Sequence, residues 1–322
     1  MDDAAVVTQA LLTRLLREPV APLGGGDDVA AWWARFCAEE MRPASPIDRA
    51  VLAGFRADRV AGAFAGGYQA ALRALVPRQL AGDVIASLCV TEAGGNSPRA
   101  IEARLTPGAG GGFRLSGRKR WSTLAPLARV LLVAASEGSD PAGRKRIRLV
   151  RVDASAPGVA IRVMPPTKFV PEVPHAELEL TDVGLGPDAV LPGDGYTGYV
   201  KRFRTVEDVH IHAGVLAYVL SVARRFGFPP AVLERLAAAI VTMRVLATLD
   251  PDAAETHVAL AGALARDATL LEHSDAHWEG ADPDERDRWR RDRTMFGSVA
   301  GEIREARRQR AWQRLGAAGE GG

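Results

Sequence analysis

Cysteine is nearly absent: the 322 residues hold two, Cys37 and Cys89. Two thiols make neither a disulfide framework nor a metal-ligand motif. A charge excess is also missing. Lysine and arginine number 41 against 39 aspartates and glutamates, a net charge of +2. So even a balance leaves no electrostatic footprint for nucleic acid. No apolar run approaches the ~20 residues that span a bilayer. Asp2 and Asp3 stand where a secretory leader would carry positive charge. P-loop, serine-triad, Cys–His and zinc spacings are all lacking. These absences predict a reduced, cytoplasmic protein with no nucleic-acid or membrane partner. At 47% hydrophobic and 25% charged residues, the chain is long enough for two or three domains and a sizeable core without staples.

What is present changes character along the chain. The first part reads as helices. Val6, Leu11, Leu12, Leu15 and Leu16 give one apolar stripe, and Trp32, Trp33 and Phe36 belong to a second helix. A third starts at Pro46 and runs through Phe55, Phe64 and Leu72 toward Pro77. From Asp83 the pattern turns short and strand-like. Candidate strands are 84–91, 113–115, 130–135, 147–152, 159–163 and 176–180, separated by Gly, Pro, Ser and Asp clusters. Short strands at this density suggest a barrel or sandwich. From Thr205 the chain is helical again, in segments 205–226, 231–249, 252–278 and 284–314. Four helices with short connections make a bundle. The basic stretch Arg286 to Arg293, interrupted by Asp287 and Asp292, reads as a solvated helix face. The expected fold class is α+β with three domains: N-terminal helices at 1–82, a β-barrel at 83–193 and a four-helix bundle at 194–322.

Two motifs carry candidate chemistry. In Cys89-Val90-Thr91-Glu92-Ala93-Gly94-Gly95-Asn96-Ser97-Pro98, a strand enters a glycine turn flanked by hydroxyls. Such a turn offers backbone N–H groups to a polar edge or a phosphate. In Gly112 to Thr123, a strand, a turn at Gly117 and a second strand end in Trp121-Ser122-Thr123. That tryptophan can flank a planar ring, or simply fill a core.

Together, "C-V-T-E-x-G-x-x-S" and then "G-x-x-L-x-G-x-K-x-W-x-T" resemble the flavin-binding signature of acyl-CoA dehydrogenases. Pro174 to Val183, followed by Val190-Leu191-Pro192-Gly193, is similar to the last strand of that family's middle domain. The resemblance implies FAD as cofactor and an acyl-CoA or acyl-carrier-protein substrate. It also implies an electron-transfer flavoprotein as acceptor and a homodimer or homotetramer. By position it implies that Thr91 bonds the pyrimidine end of the flavin, with backbone help from Val90 and Ser122. It places Ser97 at the phosphates, Trp121 beside the ring and Thr123 near N5. An arginine near a Phe-Gly pair, here Arg225 of Arg224-Arg225-Phe226-Gly227, is implied to reach the FAD pyrophosphate of a neighbouring subunit.

The reaction class needs a carboxylate to take the α-proton. The family's usual C-terminal glutamate loop has no counterpart except Glu320-Gly321 at the chain end. A minority of the family, the isovaleryl-type dehydrogenases, carries the base on the first bundle helix, where Glu207 matches. Asp208 is the weaker alternative. The competing reading makes Glu207 a helix-start acid, since Thr205 and Asp208 have capping-box spacing. Gly214, one turn beyond Ile211 on the same face, suggests close ligand approach. His210 and His212 face different directions on a helix, and His175 reads as structural. Both helical regions are short for the family. That leaves open a non-catalytic or half-site subunit of a hetero-oligomer, or a flavin oxidase or monooxygenase on the same scaffold.

Overall fold

The computed structural model describes residues 3–40, 45–80, 82–295 and 301–316. Glu320-Gly321 lies outside them. Two compact units emerge. One is built from Met1–Ala74, Lys168–Val170 and Thr205–Gly322, the other from Leu75–Thr167 and Pro171–Arg204.

In the second unit the strands are β1 (Ala86–Cys89), β2 (Arg104–Pro107), β3 (Phe113–Thr123), β4 (Val130–Ser139), β5 (Lys145–Asp153), β6 (Val159–Val163) and β7 (His175–Leu185). They form one seven-stranded sheet in the order β1-β4-β2-β3-β7-β6, with β5 also paired to β4. Residues 130–135 of β4 are all buried, as expected of an apolar run covered on both faces. Leu115, Leu131, Val133, Val150, Leu178 and Val183 meet in the core.

Two expectations are corrected here. β2 went unforeseen, because only Leu105 of its four residues is buried and no alternation marks it. Gly117 is no turn: β3 runs through it as one 11-residue strand. The pairing with β7 shifts register between Leu115 and Gly117. A Cβ at Gly117 would lie 2.5 Å from Ala103, so the glycine serves a bulge with close backbone approach.

The first unit holds α1 (Asp3–Arg17), α2 (Val29–Glu40), α3 (Pro46–Arg56), α4 (Val60–Leu75), α5 (Lys201–Arg225), α6 (Pro230–Leu246), α7 (Ala254–Ser274), α8 (Pro283–Asp292) and α9 (Gly301–Arg314). The expected third helix is broken at Ala57, which turns extended and bridges to Leu23. Neither proline nor glycine marks that break. α5 has no single buried stripe: residues 209–223 are buried on every side. With its leading turn, Tyr196–Arg225 is long and apolar enough to cross a bilayer by length and composition, and 78% of its most apolar window is buried inside the fold. That burial marks a core helix.

Close packing around α5 explains three glycines. A Cβ on Gly54 would lie 1.7 Å from the Gly214 carbonyl oxygen, and one on Gly67 would lie 2.6 Å from the Ile211 Cα. Gly214 therefore lets α3 and α4 approach α5, which replaces the ligand-approach reading. α8 is solvated on one face, where Asp287 and Arg290 are exposed, and buried on the other. Trp289 stacks on Trp278 at 4.8 Å, and buried Asp292 accepts the Val170 N–H at 2.7 Å.

Candidate functional site

The residues singled out in the β unit converge on one end of β3. The β3–β7 register places Ser122 opposite Ala176 and Thr123 opposite His175, with a second shift between Lys119 and Ser122. Arg120 and Trp121 occupy that bulge. Trp121 has φ 55° and Leu124 φ 59°, two non-glycine residues in the left-handed region on either side of Ser122-Thr123. Such strain persists only where the surroundings enforce it. The consequence is that Trp121 stands 51% exposed. Its ring meets His175 edge-on at 6.0 Å.

The glycine turn is fastened to this bulge. The Arg120 N–H donates to the Thr91 carbonyl at 2.8 Å. The Lys119 ammonium donates to the Val90 carbonyl at 3.3 Å and to Glu92 at 2.6 Å. Glu92 also accepts the backbone N–H groups of Glu102 at 2.8 Å and Ala103 at 3.0 Å. One carboxylate therefore ties the loop to its own far end and to β3. Ser97 is exposed and makes no capping bond to the short turn it starts. Ser122 turns inward, and its buried Oγ lacks a hydrogen bond of good geometry. Burial pushes the Cys89 thiol up, and the hydroxyls of Ser87 and Ser122 ease it back. Burial lowers His175, so its imidazole favours the neutral form.

A groove of about 1150 Å3 is lined by Glu92, Ser97, Arg99, Arg120, Arg162 and Glu179 among others. Across its floor Arg118 pairs with Glu179 at 3.0 Å and Arg120 with Glu177 at 2.9 Å. Sequence reasoning missed this charge ladder. The signal was present as basic residues alternating on β3 and acids alternating on β7.

In the helical unit, Glu207 lies half-buried on α5, well past the first turn. The helix begins earlier than the sequence suggests, so Thr205 and Asp208 form no capping box. The Thr205 hydroxyl instead meets His257 and Arg307, each at 3.3 Å. Asp208 accepts Arg304 at 2.7 Å and Arg307 at 2.6 Å. The helix-start reading of Glu207 falls with the box. Arg225 grips buried Glu285 with both terminal nitrogens, at 3.0 and 2.5 Å, and the Tyr218 hydroxyl donates to the same carboxylate at 3.2 Å. His210 bonds the Val206 carbonyl at 2.8 Å, whereas His212 approaches Asp267 at 3.2 Å. Among the described residues no three His, Cys, Asp or Glu side chains are placed to hold a metal.

Residues 87–183 match the family model for the acyl-CoA dehydrogenase middle domain. Benzylmalonyl-CoA dehydrogenase of Aromatoleum aromaticum is 30% identical over 149 residues, 45% of this chain and 37% of that protein. The match thus spans little more than a third of that relative's length. Among solved structures, PigA with FAD and proline aligns over 98% of both chains, with TM-score 0.67 and 13% identity. FMN-bound TdsC from Paenibacillus sp. A11-2 aligns over 97% of this chain and 96% of its own, with TM-score 0.66 and 16% identity. A putative acyl-CoA dehydrogenase from Mycobacterium smegmatis gives 98% of both, TM-score 0.62 and 16% identity. The fold is that of acyl-CoA dehydrogenases: helical N- and C-terminal parts with a curled β-sheet in the middle.

Proposed function

We propose that this chain is a member of the acyl-CoA dehydrogenase family, whose middle-domain model its residues 87–183 match, and from that premise that it is an FAD-dependent oxidoreductase. Its reaction is the α,β-desaturation of an acyl thioester carried on CoA or a carrier protein. The observation that carries the flavin part is Trp121. A large apolar ring, held in solvent by a strained bulge whose other residue, Arg120, lines a polar groove, is a surface that a planar, anionic cofactor would cover.

The residues present fit such a group. Val90 and Thr91 offer a backbone edge stiffened by Lys119 and Arg120. Thr123 lies two residues beyond Trp121, opposite His175. Ser97 presents a free-standing hydroxyl to the groove. When bound, the flavin supplies the hydride acceptor. Glu207 is our candidate for the base that takes the α-proton. Electrons then leave to an electron-transfer flavoprotein. The working form is a homo-oligomer.

The test starts from the purified chain. A visible flavin spectrum that bleaches anaerobically with an acyl thioester supports the reading. Protein that stays colourless in excess FAD sinks it. Since one structure of this fold holds FAD and proline, the substrate panel includes aminoacyl as well as fatty-acyl thioesters. Glu207→Gln should keep the flavin and slow its bleaching by about a thousandfold, the scale of a lost general base. An unchanged rate removes Glu207 from the role.

A further inference from the structure

The charges of the groove do not cancel. Its four glutamates are all matched: Glu92 to Lys119, Glu102 to Lys145, Glu177 to Arg120 and Glu179 to Arg118. Arg99 and Arg162 line the same groove and are exposed. Among the described residues, neither has a carboxylate at ion-pairing distance. Arg162 sits opposite Glu177 in the β6–β7 register, but that carboxylate is turned to Arg120 on the other side. Two guanidinium groups are left over, each with a planar fork of donors suited to phosphate oxygens.

The groove also takes in Ser97, the hydroxyl that the resemblance places at the phosphates. Glu92 follows Thr91 in the chain and Arg120 precedes Trp121, and both line it. A ligand with its phosphates at Ser97 would meet these arginines in the same groove. Arg225, the arginine that family resemblance assigns to the pyrophosphate, is taken up by Glu285.

We propose that Arg99 and Arg162 bind the diphosphate of a nucleotide in this groove, so that the chain meets that charge from its own β unit. The inference rests on the flavin reading, since Ser97 in the same groove lining makes FAD the favoured occupant. CoA carries the same diphosphate chemistry and is the other source.

The experiment titrates the wild type, Arg99→Ala and Arg162→Ala with FAD, with riboflavin and with CoA. Flavin binding is read by fluorescence and CoA binding by calorimetry. Both arginines are exposed and outside every ion pair described above, so the variants should fold, which thermal unfolding checks. Loss of one charge-assisted contact should weaken FAD about tenfold or more and flatten its salt dependence, with riboflavin unchanged. Equal FAD affinity in all three proteins overturns the proposal and leaves the flavin reading standing. A chain that takes no flavin but binds CoA, more weakly in both variants, keeps the phosphate site and ends the flavin reading. Binding of neither ends both.

Discussion

Lys119 and Glu92 meet inside the β unit, 2.6 Å apart, with no solvent exposure on the lysine side chain. Burial pulls the ammonium below the usual lysine range, and Glu92 pulls it back. Removing one partner strands a buried charge, which costs about 3–5 kcal/mol. Glu92→Ala should therefore lower the thermal midpoint sharply. The double variant Glu92→Ala/Lys119→Met should recover the part of that loss due to the stranded ammonium, while the Glu102 and Ala103 N–H groups still lack their acceptor. Equal melting of the single and double variants would mean the pair is not coupled.

Gly54 and Gly262 should respond with opposite sign to the same substitution. Gly54→Ala drives a methyl into the Gly214 carbonyl and should cost about 1–3 kcal/mol or more through overpacking. Gly262 lies exposed on α7 with nothing within 4 Å of its Cβ position. Gly262→Ala should stabilise by about 1 kcal/mol from helix propensity. Denaturant midpoints of the two variants decide this, and a shift in the same direction refutes the packing account.

His210 should make the protein acid-labile. Burial lowers it from 6.5 to about 4, while its bond to the Val206 carbonyl pulls the other way. The folded state thus holds the proton more weakly than the unfolded state. As pH falls from 6.5 toward 4, the unfolded chain is protonated first and stability is lost, by about 3 kcal/mol across the window. His257 and His175, also lowered by burial, act in the same direction. Urea midpoints at neutral and at about pH 4.5 should converge in His210→Leu. A variant as acid-sensitive as the wild type would clear His210.

Asp208 should hold the C-terminal helix. Ala311 is the one residue of α9 described as buried, so its attachment leans on Arg304 and Arg307 at Asp208. Asp208→Asn should raise amide exchange across residues 301–314 well above that of α5 and α7, and should speed tryptic cutting at its arginines. Unaltered protection would show that apolar contacts suffice.

Much of the frame was legible because it is local. Proline and glycine at 227–230, 251 and 280–283 punctuate the helices where the structure breaks them, since both act through their own backbone geometry. Alternation along residues 146–152 matches β5. The two loop motifs do fall on neighbouring backbone, joined by Arg120 and Thr91. The break at Ala57 was not legible, because a long-range bridge to Leu23 causes it.

By itself the sequence determined most of the helix and strand segments, their order, and the loop chemistry around Thr91 and Trp121. Those properties follow from periodicity, capping and turn residues within a few positions. Only the tertiary structure decided the partners. Glu285 claims Arg225 from 60 residues away. Asp208 takes arginines nearly 100 residues downstream. Gly214 answers to Gly54 and Ala63. Arg99 and Arg162 are left over once every groove carboxylate has a partner. Such pairings depend on which surfaces the folded chain brings together, and no local pattern encodes a neighbour that distant.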